Sequence, residues 1–302
     1  MNVLVTGSSG LIGSALVRSL TEAGHSVVKL RRSPALHDRP SASWEPAAGQ
    51  IDLSGAGALD AVIHLAGESI GRRWTARRKE RIRSSRLGGT RLLSEAIARL
   101  PQPPRVLACA SGTGFYGDRP GEWLDETSAP GRGFLAELAR DWEMATTPAS
   151  QGGVRVVHCR FGIVLSPAGG ALAKMLPAFK LGLGARFGDG QQHWSWITLE
   201  DVLSLLHLAL RCATLSGTVN AVTPNPVTNE QFTRVLAGVL RRPAFFVIPR
   251  FAVELLFGEM GREALLTSFR VKPAKLLEIG FPFRWPELEP ALRHLLETEA
   301  ED

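Results

Sequence analysis

The chain opens with a short apolar run, Val3-Leu4-Val5, that breaks at Thr6-Gly7-Ser8-Ser9-Gly10-Leu11-Ile12-Gly13. Leu11, Ile12, Ala15, Leu16 and Leu20 then recur at helical spacing, which predicts strand, glycine turn and helix. Gly24 stops the helix, because glycine takes the left-handed conformation that closes a last turn, and Val27-Val28-Lys29-Leu30 begins a second strand. These elements make a βαβ unit.

The same pattern continues along the chain. Residues 33 to 57 are rich in Pro, Ala, Ser and Gly, with Trp44 marking a short third strand, and Ala61-Val62-Ile63-His64-Leu65-Ala66-Gly67 reads as a buried fourth strand. Trp74 to Leu100 predicts a long helix with a candidate break at Gly88-Gly89, and Arg105 to Ala110 predicts a fifth strand that delivers Ser111 to Gly117 to the same sheet edge. A loop from Asp118 to Gly133 is placed to border a pocket. Phe134 to Ala149 is helical, Val154 to Cys159 is a sixth strand, and Arg160 to Leu165 continues it. From Ser166 glycines punctuate shorter segments. Helices are expected over 201–210 and 229–240, the latter capped by Asn229, with a strand over 218–222 and mostly helix in the last 60 residues. No internal repeat is visible. The expected architecture is α/β: a doubly wound parallel sheet of Rossmann type over 1–165, rejoined by a segment near 196–222, and a smaller C-terminal α/β domain over 166–302.

Composition narrows the class. With 44% apolar and 21% charged residues in 302, the chain can bury a real core, and no run reaches the 18 or more apolar residues of a membrane span. No leader is read at the start, so a cytoplasmic protein or an already processed one is expected. Cys109, Cys159 and Cys212 are odd in number and far apart, and the seven histidines are scattered, so neither a disulfide framework nor a metal is expected. The net charge of +6 is concentrated between Arg72 and Arg91, where nine Lys and Arg residues face only Glu80. Trp74 is the one aromatic residue there, unlike the interleaved aromatics of a single-strand platform, so a solvated helix face is favoured over a nucleic-acid surface.

The first turn carries the candidate chemistry. Gly7 permits the tight turn, Gly10 lets backbone approach a pyrophosphate, and Gly13 lets helix and strand pack closely, with the helix N-terminus facing the anion. Gly7, Ser9, Gly10, Leu11, Ile12 and Gly13 are therefore cofactor candidates. An NAD site usually places an acid at the end of the second strand, whereas an arginine accommodates the 2′-phosphate of NADP. Here Arg31-Arg32-Ser33 stands there with no acid before Asp38, which selects NADP(H). Leu65, Ala66 and Gly67, with Glu68 beside them, fall beyond a strand's carboxyl end, where doubly wound sheets bind ligands. His64 is read as a core residue, with catalysis as the alternative.

The first turn, His64-Leu65-Ala66-Gly67, Phe115-Tyr116-Gly117 and the stretch from Gly188-Asp189-Gly190 to Glu200-Asp201-Val202 resemble the extended short-chain dehydrogenase/reductase superfamily. More narrowly, Gly67-Glu68-Ser69-Ile70, Arg73-Trp74-Thr75, Ser85-Arg86, Leu181-Gly182-Leu183-Gly184, Phe257-Gly258-Glu259-Met260, Gly280-Phe281 and Phe283-Arg284-Trp285-Pro286 resemble its atypical group of epimerase family proteins. The resemblance implies NADP(H) bound by the N-terminal domain, a C-terminal substrate domain, and Arg86 reaching the cofactor phosphate region.

The superfamily's Tyr-x-x-x-Lys pair is missing. Tyr116 is the one tyrosine and is followed four residues on by Pro120; if Glu143 matches the acid that follows the pair, its two positions are Leu135 and Ala139. Ser111, Thr113 and Tyr116 remain near the nicotinamide, with Ser111 and Tyr116 as catalytic candidates, the first to stabilise an oxyanion and the second to donate a proton, each with a structural alternative. Glu68 and Arg140 are further polar candidates. The leading expectation is an NADP(H)-dependent oxidoreductase acting on a small molecule, as monomer or homodimer. A non-catalytic NADP(H) redox sensor and a nucleoside-diphosphate-sugar epimerase stand beside it.

Overall fold

The short apolar runs pair into one eight-stranded sheet. The computed structural model describes residues 1–32 and 42–297. In chain order the strands are β1 (Asn2–Thr6), β2 (Ser26–Arg32), β3 (Ser43–Glu45), β4 (Gln50–Asp52), β5 (Ala61–His64), β6 (Val106–Gly112) and β7 (Arg155–Phe161). Four short strands follow, β8 (Ile163–Ser166), β9 (Ala185–Phe187), β10 (His193–Trp194) and β11 (Trp196–Thr198), before β12 (Gly217–Ala221) returns to the main sheet. Two more, β13 (Val227–Thr228) and β14 (Phe246–Ile248), lie in the C-terminal part. The sheet order is β12-β7-β6-β5-β1-β2-β3-β4, parallel throughout except for the β3–β4 hairpin. This is the doubly wound Rossmann arrangement.

Alternation along the strands decides which helix packs where. Val3 and Val5 face one side, against Leu16 and Leu20 of α1 (Leu11–Glu22). Leu4 faces the other, with Leu93 and Ile97 of α2 (Ala76–Ala98), Trp142 of α3 (Phe134–Met144) and Ala149 of α4 (Thr147–Gln151). Beyond them a separate core joins α5 (Gly170–Lys180) to later elements, while α6 (Leu199–Arg211) returns beside α1 with Val202, Leu205 and Leu206 buried. That separate core gathers Leu172 and Leu176 of α5, Phe232 and Leu236 of α7 (Asn229–Leu240), and Leu292 from the last helix. The remaining helices are α8 (Arg250–Phe257), α9 (Ala274–Glu278) and α10 (Leu288–Glu297).

Several local expectations change. Helix α2 runs unbroken through Gly88 and Gly89, since Gly89 makes room for the Trp44 indole: a Cβ there would sit 3.4 Å from its ring. The helix expected over 134–149 is two helices, because Pro148 starts a new first turn. Strands β7 and β8 separate at Gly162, where a Cβ would come within 2.4 Å of the Ser195 carbonyl. Helix α7 is capped by Thr228, whose hydroxyl accepts from Gln231 N in a reciprocal capping box, while Asn229 Oδ1 accepts from Phe187 N. The β4 strand was not expected, and the last segment alternates helices with extended stretches such as β14.

Candidate active site

Strands β1 and β5 are neighbours, and the chain proceeds from them toward opposite sheet edges, which opens a crevice beyond their carboxyl ends. Gly7 enters it at φ 66°, and a Cβ there would lie 2.7 Å from the Leu65 carbonyl carbon. Gly13 is tighter still, with a Cβ falling 2.1 Å from Gly7 O. Gly10 differs: its Cβ would meet only Gly7 O, at 3.4 Å, and would point outward from an exposed tip shared with Ser9. Gly10 is also the N-cap of α1, and no side chain caps that end, so the first turn at Leu11, Ile12 and Gly13 presents backbone N–H groups to the crevice. This cradle fits a pyrophosphate.

The opposite wall is pinned from below. Thr6 Oγ1 accepts from Leu65 N at 3.1 Å and from Ala66 N at 3.2 Å, so its own proton goes to His64 Nδ1, 2.7 Å away. His64 Nε2 then donates to Thr90 Oγ1 at 2.8 Å, which also accepts from Trp142 Nε1. Burial, and secondarily the Arg86 charge, hold the fully buried His64 down to about 4. His64 is thus a neutral core residue.

Gly67 lies against the Arg86 guanidinium, which a Cβ would approach to 3.2 Å. Arg86 donates to Glu68 O at 2.8 Å and stacks over Trp142 at 4.9 Å, and burial lowers it to about 10 against the opposing pull of Glu68. Ser85 Oγ accepts from Glu68 N, and Arg78 reaches Ser69 O at 2.8 Å and Glu68 Oε1 at 3.4 Å. The structure therefore brings Gly7, Leu65, Ala66, Gly67, Glu68 and Arg86 together. The basic segment is divided: Arg72, Arg73, Arg77, Arg81 and Arg91 are exposed, as a solvated face requires, while Lys79 pairs with Glu259, Arg83 with Asp141, Arg91 with Glu95, and Arg73 donates to Leu255 O. Arg31 and Arg32 end β2 exposed on the same sheet edge, and Ser33 lies outside the described residues.

The two catalytic candidates are placed differently from expectation. Ser111 is the penultimate residue of β6, 5% exposed, and its hydroxyl donates to Glu143 Oε1 at 2.7 Å, so its proton is already engaged. Glu143 also forms a two-pronged pair with Arg160 at 2.8 Å on each prong. Tyr116 is fully buried. Its hydroxyl donates to Asn220 Oδ1 at 2.7 Å and accepts from Arg160 Nη1 at 3.0 Å, and burial raises it to about 12 despite the Arg160 charge. A phenol so enclosed has no line to a ligand, and the expectation that Tyr116 delivers a proton does not fit this geometry. On α3, Leu135 packs against Gly114 and Ala139 is buried, while Arg140 is turned to Asp141.

Sequence reasoning missed Arg160 and Asn220, because their role depends on the β6–β7–β12 pairing. It also missed a half-open cleft of about 220 Å³ beside Gly114 and Leu135, lined by Gly117, Asp118, Arg132, Gly133, Arg250, Arg262, Glu263, Thr267 and Phe269. The signal available was Gly131-Arg132-Gly133, an arginine between glycines in the loop expected to border a pocket. Among the described residues no group of three or more His, Cys, Asp or Glu is placed to hold a metal, and no helix is long and apolar enough to cross a membrane.

Residues 3–221 match the NAD dependent epimerase/dehydratase family, and residues 248–295 match a domain of unknown function, DUF1731. Epimerase family protein Mb2239 of Mycobacterium bovis is 44% identical over 292 residues, covering 96% of this chain and 96% of that protein. The crystal structure of human epimerase family protein SDR39U1 (isoform2) with NADPH is similar at TM-score 0.89 and 34% identity, covering 99% of this chain and 100% of that one. UDP-glucose 4-epimerase from Thermotoga maritima with UDP-glucose has TM-score 0.78 at 21% identity, covering 100% of this chain and 99% of that one, which is a likeness of fold. A match of that extent, joined to a relative so similar along the whole length, means that the chain belongs to the NAD dependent epimerase/dehydratase family.

Proposed function

We propose that the chain is an NADP(H)-dependent oxidoreductase of the atypical extended short-chain dehydrogenase/reductase type, acting on a small molecule. The observation that carries the reading is the cradle of Gly7, Gly10 and Gly13 facing Gly67 and Arg86, with Arg31 and Arg32 at the end of β2. The human relative crystallised with NADPH supports the same cofactor. When bound, NADPH supplies a hydride.

The chain's own residues do the rest. The uncapped start of α1 holds the diphosphate, Arg31 and Arg32 hold the 2′-phosphate, and Leu65 and Ala66, pinned through Thr6, line the wall. Residues 1–165 with 196–222 serve the cofactor, and 166–302 serve the substrate. Leu135 and Ala139 cannot move a proton and Ser111 has committed its proton to Glu143, so the proton for the product oxygen comes from solvent. The same gap disfavours a sugar-nucleotide epimerase, which must shuttle a proton reversibly. It also favours a second reading, a redox sensor that binds NADP(H) without turnover. Three free thiols, two of them buried, suit a cytoplasmic location.

Oxidation of NADPH at 340 nm against a broad carbonyl panel separates the two. Turnover with any carbonyl supports the reductase. Tight NADPH binding without turnover, with protease digestion that differs between NADPH and NADP+, replaces it with the sensor.

A further inference from the structure

Large apolar side chains are left exposed on three neighbouring stretches of the C-terminal part. On α8, Phe251 is 74% exposed, and Leu255, four residues on and so on the same helix face, is exposed with Leu256 beside it. Val253 is buried in their place, and Arg73 donates to Leu255 O at 3.0 Å, so the helix is held with its apolar face outward. Pro249 alone separates α8 from β14, where Phe246 and Val247 are both exposed and Phe245 just before them is 86% exposed. Consecutive strand residues point to opposite faces, so neither face of β14 is covered there. Among the described residues β14 pairs with β9 alone, which leaves its other edge without a strand partner. Leu181 and Leu183, exposed in the turn before β9, flank Gly182, where a Cβ would lie 3.3 Å from Pro243 Cγ, two residues before Phe245.

These eight side chains expose on the order of 800 Å² of apolar surface, beyond the roughly 300–600 Å² of the largest patch on an ordinary monomer. The charge around them is of one sign. Lys180, Arg241, Arg242 and Arg250 are exposed in the same stretches, and over residues 171–185 and 238–257 the one acid is Glu254, which faces Arg250 at 3.3 Å. Two copies of this face would set cation against cation, whereas an acidic surface with an apolar layer beneath it complements both features. Phe245 and Phe251 also project from the molecule rather than line a groove, which suits entry into a soft acyl layer over docking of a rigid partner.

We propose that the face formed by β14, α8 and the turn before β9 docks the protein on an anionic lipid bilayer. Phe245, Phe251 and Leu255 enter the boundary between headgroups and acyl chains, while Lys180, Arg241 and Arg242 meet the acidic headgroups. Stable attachment of this kind takes both signals, an apolar anchor and a basic margin, and the face carries the two together. No helix among the described residues is long and apolar enough to cross a membrane, so attachment through this face is to one leaflet.

Flotation of the full chain with vesicles tests it, comparing pure phosphatidylcholine with a mixture containing about 30% phosphatidylserine. The expected result is flotation with the anionic vesicles and not with the neutral ones, and raising salt should release part of the bound protein. Phe245→Ser with Phe251→Ser should lower the partition coefficient at least ~10-fold, and Arg241→Gln with Arg242→Gln should lower it several-fold. Both phenylalanines are exposed, so the first variant should keep native Tm and NADPH affinity, which separates a lost anchor from a misfolded chain. No flotation with either vesicle, equal flotation with both, or flotation unchanged by the phenylalanine pair overturns the proposal. A dimer in light scattering that the phenylalanine pair dissociates, with no flotation, overturns it too and assigns the face to a second copy of the chain.

Discussion

Tyr116→Phe removes one oxygen from a buried polar cluster. In the native protein that hydroxyl donates to Asn220 Oδ1 and accepts from Arg160 Nη1, while Arg160 is stacked on Phe115 with its guanidinium carbon 3.3 Å from the ring centroid. The variant loses a neutral hydrogen bond, worth ~1 kcal/mol, and leaves a buried charged donor short of an acceptor, which costs ~2 kcal/mol more. At about 2–4 °C per kcal/mol for a chain of this size, a loss of about 3 kcal/mol lowers Tm by roughly 6–12 °C. Urea unfolding and calorimetry measure it, and a double-mutant cycle with Asn220→Ala should return a coupling of ~1 kcal/mol. NADPH affinity should stay within ~2-fold, since the hydroxyl faces no ligand. A variant with native Tm and no turnover would refute this reasoning and restore Tyr116 as the proton donor.

Other consequences follow from the same geometry. Gly10→Ala should keep native Tm but weaken NADPH at least ~10-fold by blocking the pyrophosphate, whereas Gly13→Ala, whose Cβ would fall 2.1 Å from Gly7 O, should lower Tm sharply; equal effects of the two would contradict the distinct roles. His64, held at about 4 when folded, leaves the unfolded chain binding the extra proton, so stability present above pH ~6.5 declines toward pH 4. Its share is about 2 kcal/mol between pH 7.5 and 5, and a urea series on His64→Gln should show a correspondingly flatter pH profile; identical profiles would exclude His64 as the source. Arg86→Ala frees the Glu68 carbonyl and the Gly67 wall and should weaken NADPH and NADH alike by ~10-fold in equilibrium titration, while an effect on NADPH alone would mean direct contact with the 2′-phosphate.

Much of this architecture is written in local pattern. The β1 run, its glycines and the periodicity of α1 are short-range features, and each is found where the spacing puts it. Helix α2 shows the limit of such reading: Gly88-Gly89 looks like a break, and only the distant Trp44 explains why the helix tolerates it. Strand β4 is three residues long, too short for its single polar–apolar–polar alternation to stand out, and it exists through pairing with β3. Pro148 did carry the signal for the split between α3 and α4. The cofactor cradle was legible since it spans one turn and the ends of neighbouring strands. The cleft was not, because Gly117, Arg132, Arg250 and Arg262 meet only after the C-terminal part folds over α3. Tyr116 likewise drew attention as the one tyrosine, and its burial depends on Asn220, 104 residues away.

The most direct test of the central claim is titration of the purified protein with NADPH and with NADH, read by energy transfer from its seven tryptophans to the reduced nicotinamide. The account predicts NADPH bound at least ~10-fold more tightly, about 1.4 kcal/mol, with Arg31→Ala and Arg32→Ala together erasing the difference. Equal affinities would contradict the role given to the arginines at the end of β2. No binding of either nucleotide would mean that the glycine turn is scaffold alone, and the reductase and sensor readings would fall together.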